Sequence, residues 1–127
     1  MNMPDAILEW QSLCASTDLA EAGKAVLFDV MEFGHSVQAF AIRYDNVPVA
    51  YVNRCAHVPT AMDWQEGQFF DQDRRFIICS IHGALYHPPS GECVAGPCAG
   101  ARLLAIELKE QGGQVYWRPT QRLQPLF

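Results

Sequence analysis

The middle of this 127-residue chain differs sharply from its two ends, and this contrast constrains the fold more than any other feature. Residues 53–100 hold four of the five Cys and three of the four His, among many Gly and Pro. Such a loop-rich segment offers little apolar material with which to order itself. We therefore predict that a metal centre cross-links it.

The segments on either side of this middle part alternate apolar and polar residues with period two, which is typical of β-strands. Strands are predicted at residues 24–33, 36–44, 47–52, 104–109 and 115–117, with turns at Gly34–His35, Asp45–Asn46 and 111–113. Helix is predicted for one turn only, over 18–22, ended by Gly23. The sequence thus predicts an antiparallel all-β base with a loop-rich insert.

Length and charge limit the organisation and the partners of the chain. At 127 residues it has room for one domain, with a base at 1–52 and 101–118, an inserted subdomain at about 53–100 and an irregular tail at 119–127. The tail is expected either to be frayed or to dock through Leu123, Leu126 and Phe127. A net charge of −5 leaves a nucleic-acid role without an overall basic field to support it. No apolar run approaches the roughly 20 residues of a membrane span. The odd number of Cys, without a signal-peptide pattern, favours reduced thiols in the cytoplasm.

Two short Cys/His pairs lie in the middle segment, Cys55-Ala-His57 and Cys79-Ser-Ile-His82. Each pair is short enough to be presented by one tight loop, so two loops can converge as two sulfur and two nitrogen ligands. This donor set suits iron, zinc or an iron–sulfur cluster and excludes a site for hard cations. Zinc sites usually pair Cys with Cys and His with His, commonly around a helix. Here both pairs are mixed and the surroundings are strands and loops.

The two pairs and their surroundings resemble the Rieske iron–sulfur proteins, whose signature is C-x-H followed by C-x-x-H. In this chain the matching stretches read CAHVPTAMDW and CSIHGALYHPPSGECVAGPC. The resemblance implies a Rieske-like antiparallel β-sandwich or barrel base with an inserted cluster-binding subdomain. It also implies one [2Fe–2S] cluster per chain, with Cys55 and Cys79 on one iron and His57 and His82 on the other.

Four further residues around the cluster are marked by the same resemblance: Gly83, Ala84, Tyr86 and Pro97. High-potential members of the family carry a Ser where this chain has Ala84, and its hydroxyl donates to a cluster sulfide. Fewer hydrogen bonds to sulfur stabilise the reduced, more negative cluster less. We therefore expect a midpoint potential nearer about −150 mV than about +300 mV.

The resemblance implies an electron carrier rather than an enzyme: a small ferredoxin that takes electrons from a flavin reductase and delivers them to the terminal component of an aromatic-ring oxygenase. Two alternatives remain, a small Rieske subunit of another redox enzyme such as nitrite reductase, and a cluster-based redox-sensing or binding module. The net charge of −5 favours docking on a basic partner surface.

The remaining Cys, His and aromatic residues of the middle segment are expected to have structural roles. Cys93 and Cys98 are predicted to be small buried residues rather than a disulfide or a second metal site. His87 is predicted to be a solvated loop residue, and Trp64 and Phe69–Phe70 are predicted to fill the core.

Overall fold

A computed structural model describes residues 8–56, 58–98 and 100–126. Within these ranges the chain forms one 3₁₀ turn, Ser16–Asp18, and eleven β-strands: β1 Gln11–Ala15, β2 Val26–Glu32, β3 His35–Tyr44, β4 Val47–Val52, β5 Ile77–Ile78, β6 Leu85–Tyr86, β7 Cys93–Ala95, β8 Ala105–Ile106, β9 Leu108–Gln111, β10 Gln114–Trp117 and β11 Leu123–Pro125. The strands make three antiparallel sheets, ordered β1-β10-β9, β11-β2-β3-β4-β8 and β5-β6-β7. The predicted all-β fold is confirmed, and none of the described ranges contains a helix able to cross a membrane.

Two tight turns build the centre of the five-stranded sheet. Asp45 and Asn46, with φ of 53° and 67°, form the predicted turn between β3 and β4. The turn before β3 was predicted one residue too late. It consists of Phe33 and Gly34, with φ of 51° and 81°, and His35 is already the first residue of β3. An aromatic residue rarely adopts positive φ, so the sequence signal favoured the Gly-X pair.

Strand β3 is buried on both faces, whereas its alternation predicted a half-buried strand. Ala39 and Ala41 belong to one core, which the β1-β10-β9 sheet covers. Phe40 belongs to the second core, which also contains Cys55 and Cys79. The sheet therefore separates two cores, and the second supports the segment that carries the predicted metal ligands.

The middle segment has an apolar interior of its own, contrary to the expectation that metal binding alone orders it. Its buried side chains include Met62, Phe69 and Ile77. The Phe69 ring stacks on Phe40 of β3 with the ring centroids 3.7 Å apart. Stacking of this kind adds to the hydrophobic stabilisation of a core. The segment is thus held on the five-stranded sheet by packing as well as by its ligands.

Tyr51 of β4 provides a second anchor for the middle segment. Its buried hydroxyl donates a hydrogen bond of 2.5 Å to the carbonyl of Pro88. Gly91 leaves room for this ring, since a Cβ there would lie 2.6 Å from a Tyr51 ring carbon, and its φ is 74°. Glycine is therefore required at this position.

The tail and two short elements differ from their predictions. Residues 119–127 were predicted to be irregular, but β11 pairs with β2 at the sheet edge because Leu123 is buried in the core there. The predicted strand over 104–109 is divided into β8 and β9, which belong to different sheets. The predicted helical turn lies at Ser16–Asp18 rather than at 18–22.

Glu32 joins the tail and the end of β4 to β2. Its carboxylate accepts hydrogen bonds of 2.7 and 3.1 Å from Arg54 and one of 2.8 Å from Arg122. The Arg54 guanidinium is the largest cause that lowers the pKa of Glu32 from 4.5 to about 2. This stabilisation is present above pH 4.5 and is lost as the pH falls through the folded-state pKa near 2.

We expect Glu32→Gln to lower the free energy of unfolding by about 2 kcal/mol at pH 7, because a nearly buried carboxylate loses its charged hydrogen bonds. The difference from the wild type should shrink as the pH falls from 4.5 towards 2. Urea unfolding at several pH values measures it. Glu107→Gln is the control, because Glu107 is exposed and 3.8 Å from Arg118. A loss that is equal in both variants would contradict the prediction.

Candidate metal centre

Two closed loops present the predicted ligands. Cys55 follows β4, and its backbone N–H donates to the carbonyl of Thr60 at 2.9 Å. Cys79 follows β5, and its backbone N–H donates to the carbonyl of Ala84 at 2.9 Å. The N–H of Gly83 in turn donates to the Cys79 carbonyl at 2.8 Å. Each Cys thus begins a loop whose ends are joined by backbone hydrogen bonds.

The side chains of these loops converge. The sulfurs of Cys55 and Cys79 and a ring nitrogen of His82 all lie within 4.8 Å of one another. The Cys79 sulfur is 3.5 Å from His82 Nδ1. Both cysteines are buried and His82 is half-buried. His57, the fourth predicted ligand, lies outside the described residues.

Tyr86 of β6 contacts this group directly. Its hydroxyl accepts a hydrogen bond of 3.0 Å from the Ala56 N–H and lies 3.3 Å from the Cys55 sulfur. Burial is the largest cause that raises the pKa of Tyr86, and the hydrogen bond with Cys55 raises it further. The hydroxyl therefore stays protonated near neutral pH, and it is the donor to Cys55 whenever that sulfur is a metal-bound thiolate.

A third loop packs beside the first two. Gly96, with φ of 95°, follows β7 and approaches Ala84 so closely that a Cβ on it would lie 2.9 Å from the Ala84 Cα. Pro97 is exposed on this loop. Cys93 and Cys98 form a disulfide that closes the loop.

The prediction that Cys93 and Cys98 are separate buried residues was therefore wrong, although both are buried. Gly96–Pro97 reverses the chain between them, which brings their Cα atoms to 5.8 Å, a distance that a disulfide spans. The Gly-Pro pair between the two Cys was a sequence signal for a disulfide across a turn. The expectation of reduced thiols in the cytoplasm led to the opposite prediction.

The profile of the Rieske [2Fe–2S] domain matches residues 9–117 of the chain. The chain belongs to this family. A Rieske domain binds a [2Fe–2S] cluster, and the residues present fit that group. Two buried thiols and one half-buried imidazole converge here, and mixed Cys and His donors are what a Rieske centre uses.

Solved structures share the fold at low sequence identity. The ferredoxin of carbazole 1,9a-dioxygenase from Nocardioides aromaticivorans IC177 has a TM-score of 0.68 and 21% identity, over 87% of this chain and 98% of that one. The Sphingomonas yanoikuyae B1 ferredoxin has a TM-score of 0.66 and 18% identity, over 88% and 100%. The terminal oxygenase of carbazole 1,9a-dioxygenase from Novosphingobium sp. KA1 has a TM-score of 0.65 and 21% identity, over 93% and 31%. No curated protein sequence was found to match.

Two polar residues that support the Rieske site were not singled out from the sequence. Tyr51 holds Pro88, as described above, and Asn53 braces the first loop. The Asn53 amide oxygen accepts from the Met62 N–H at 2.8 Å, and its amide nitrogen donates to Asp63 at 3.2 Å. A polar residue directly after a buried strand was the only sequence signal for Asn53.

The remaining predictions for this segment are divided. Phe69 and Phe70 are buried and His87 is exposed, as expected. The ring of His87 lies 3.2 Å from the Ser90 hydroxyl. Trp64 was predicted to fill the core but is 56% exposed, because its Nε1–H donates to the Phe70 carbonyl from the surface.

Tyr86→Phe should lower the midpoint potential of the cluster by about 40 mV. A hydrogen bond to a ligand sulfur stabilises the reduced state, and its loss of about 1 kcal/mol corresponds to that shift for one electron. A redox titration followed by visible circular dichroism measures it. Tyr51→Phe is the matched control, because this buried hydroxyl binds a carbonyl instead of sulfur. Equal shifts in the two variants would exclude the direct effect of the Tyr86 hydroxyl.

Proposed function

We propose that this protein is a ferredoxin of a multicomponent oxygenase system that acts on aromatic rings. It takes one electron from a flavin-dependent reductase and passes it to a terminal oxygenase, and it is a carrier rather than a catalyst. The two ferredoxins above, which this chain matches over 98% and 100% of their lengths, support this role. We also propose that the protein acts in the cytoplasm, and cell fractionation tests this location.

The observation that carries the proposal is the half-buried His82 beside two buried sulfurs. The bound cluster supplies a one-electron redox centre. The imidazole of His82 connects this centre with the surface, while the protein encloses Cys55 and Cys79 and keeps water from them. Such an arrangement favours electron exchange with a docked protein over reaction with a small substrate.

The complete ligand set is part of the same proposal. Cys55 and Cys79 hold one iron, and His57 and His82 hold the other. The convergence of Cys55, Cys79 and His82 supports this assignment, as does the place of His57 in the sequence, two residues after Cys55. We also propose that the chain forms one domain, with the cluster-binding subdomain at about residues 53–100.

Exposed apolar residues on both ligand loops support docking of a partner protein at this end of the molecule. Val58 follows the first Cys/His pair and is 41% exposed. Ile81 precedes His82 and is 61% exposed. Apolar residues at the centre of a contact with a polar rim are typical of interfaces between proteins.

The residue at position 84 supports a low midpoint potential of the cluster. Ala84 offers no hydroxyl to a cluster sulfide, which favours a potential nearer about −150 mV than about +300 mV.

The test uses the purified protein with a flavin-dependent reductase and a terminal oxygenase from the same organism. We expect two iron and two sulfide per chain, a paramagnetic signal after reduction, and transfer of one electron from the reductase to the oxygenase at the rate of turnover. A colourless protein with one bound zinc, or a cluster that neither partner reduces nor oxidises, would overturn the proposal.

A further inference from the structure

A groove of 610 Å³ opens beside Cys55, at the end of the molecule that carries the cluster ligands. Its described lining contains three arginines and no acidic residue: Arg54, Arg102 and Arg122. We name it the arginine groove. It stands out because the chain as a whole has a net charge of −5. A local positive charge beside the redox site is therefore not a consequence of the overall composition.

Two of these arginines share a single carboxylate. Glu32 accepts hydrogen bonds from both Arg54 and Arg122, and it does not line the groove. One carboxylate between two guanidinium groups leaves one positive charge uncompensated. Arg122 uses only its Nε–H for this bond among the described residues, so its two terminal amino groups remain available to another acceptor.

The third arginine is held only weakly. Arg102 has a side chain that is 66% exposed, and its nearest carboxylate oxygen, from the exposed Glu92, is 3.6 Å away. Exposed ion pairs of this kind contribute little to stability. A carboxylate from outside can therefore replace Glu92 at little cost. Guanidinium groups bind carboxylates through paired hydrogen bonds, which gives the groove a defined preference for that group.

An exposed aromatic ring extends the same surface. Phe33 is 74% exposed at the β2–β3 turn, and the Arg122 guanidinium lies 5.4 Å above its ring. Aromatic and arginine side chains are the residues in which binding hot spots are enriched. The surface thus offers an apolar contact next to its positive charge, as a protein partner requires.

We propose that the arginine groove docks a carboxylate-rich surface of the redox partner and so places that partner against the loop that Cys55 begins. This inference rests on the proposed function, since it names the chemistry of the partner surface. It replaces the expectation of a basic partner, which considered the net charge alone. Docking depends on the charge at the contact, and the groove reverses the sign there.

The test measures how fast the reduced protein loses its electron to small oxidants of opposite charge. Tris(oxalato)cobaltate(III) is a trianion built from carboxylates, and hexaamminecobalt(III) is a trication. Each accepts one electron from the cluster and becomes cobalt(II). At low salt, we expect Arg102→Gln to lower the rate of oxidation by the trianion about threefold, and Arg102→Gln/Arg122→Gln to lower it about tenfold. Neither substitution should lower the rate of oxidation by the trication.

Arg118→Gln is the matched control, because Arg118 is also exposed and loosely paired, 3.8 Å from Glu107, and lies outside the groove. It should change neither rate. A peptide of ten glutamates should inhibit oxidation of the wild type by the trianion and leave the double variant unaffected. Absence of inhibition by the peptide would reduce the groove to a small-anion site and overturn the docking proposal.

Two failures are distinguishable. Suppose that both oxidants react with the wild type and that the single and double variants are oxidised at the wild-type rates. The docking proposal is then overturned, while the carrier function stands. If neither oxidant takes an electron from the dithionite-treated wild type, the carrier function is overturned, and the docking proposal is overturned with it. The single Arg102→Gln variant preserves the Glu32 contacts, so its result does not depend on whether the double variant folds.

Discussion

Cys79→Ala is expected to lose the cluster, with iron per chain falling by more than about tenfold. The Cys79 sulfur is fully buried between the ligand loops and lies 3.5 Å from His82 Nδ1. Alanine offers no donor atom there, and no other described Cys or His belongs to the converging group except Cys55 and His82. Iron and acid-labile sulfide analysis, the visible spectrum and the signal of the reduced state measure the loss.

Two variants separate ligand loss from general damage. Cys14→Ala removes the free thiol of β1, which is outside the ligand group, and His87→Ala removes an exposed ring on the neighbouring loop. Both should keep the native iron content, whereas His82→Ala and His57→Ala should lose it. A Cys79→Ala protein with the native visible spectrum would show that the ligand assignment is wrong.

The convergence of Cys55, Cys79 and His82 could be predicted because its information is local. Cys79 and His82 lie within one short loop, and the metal itself supplies the reason for two such loops to meet. The hairpin turn at Asp45–Asn46 was equally local, since Asp and Asn tolerate positive φ. Sequence reasoning succeeded where a few neighbouring residues determine the geometry.

The features that were missed depend on contacts between distant segments. Burial of β3 on both faces follows from the packing of β1, β9 and β10 against Ala39 and Ala41, which no pattern within β3 reports. Docking of the tail through Leu123 was one of two expectations and is confirmed, but the pairing of the tail with β2 as β11 was not predicted. The Arg54–Glu32–Arg122 contact joins three segments, so the arginine groove has no signature in the sequence.

Removal of the disulfide, by Cys93→Ala/Cys98→Ala, should lower the free energy of unfolding by about 2 kcal/mol. Closing a loop of this length restricts the unfolded chain by about that amount. The closed loop also holds Gly96 against Ala84, whose carbonyl accepts from the Cys79 N–H. The variant should therefore release iron to a chelator faster than the wild type, which bleaching of the visible spectrum measures.

Chemical reduction provides the control for these two substitutions. The wild type whose disulfide has been fully reduced by dithiothreitol should release iron as fast as the double variant, while the variant should not respond to the reagent. Because both sulfurs are buried, reduction should be slow in the folded protein and faster in mild denaturant. The Cys14→Ala variant should still release iron faster after treatment with dithiothreitol, because Cys14 is a free cysteine outside the disulfide. If the double variant and the wild type released iron at the same rate, the cross-link would have no part in holding the third loop against the ligand loops.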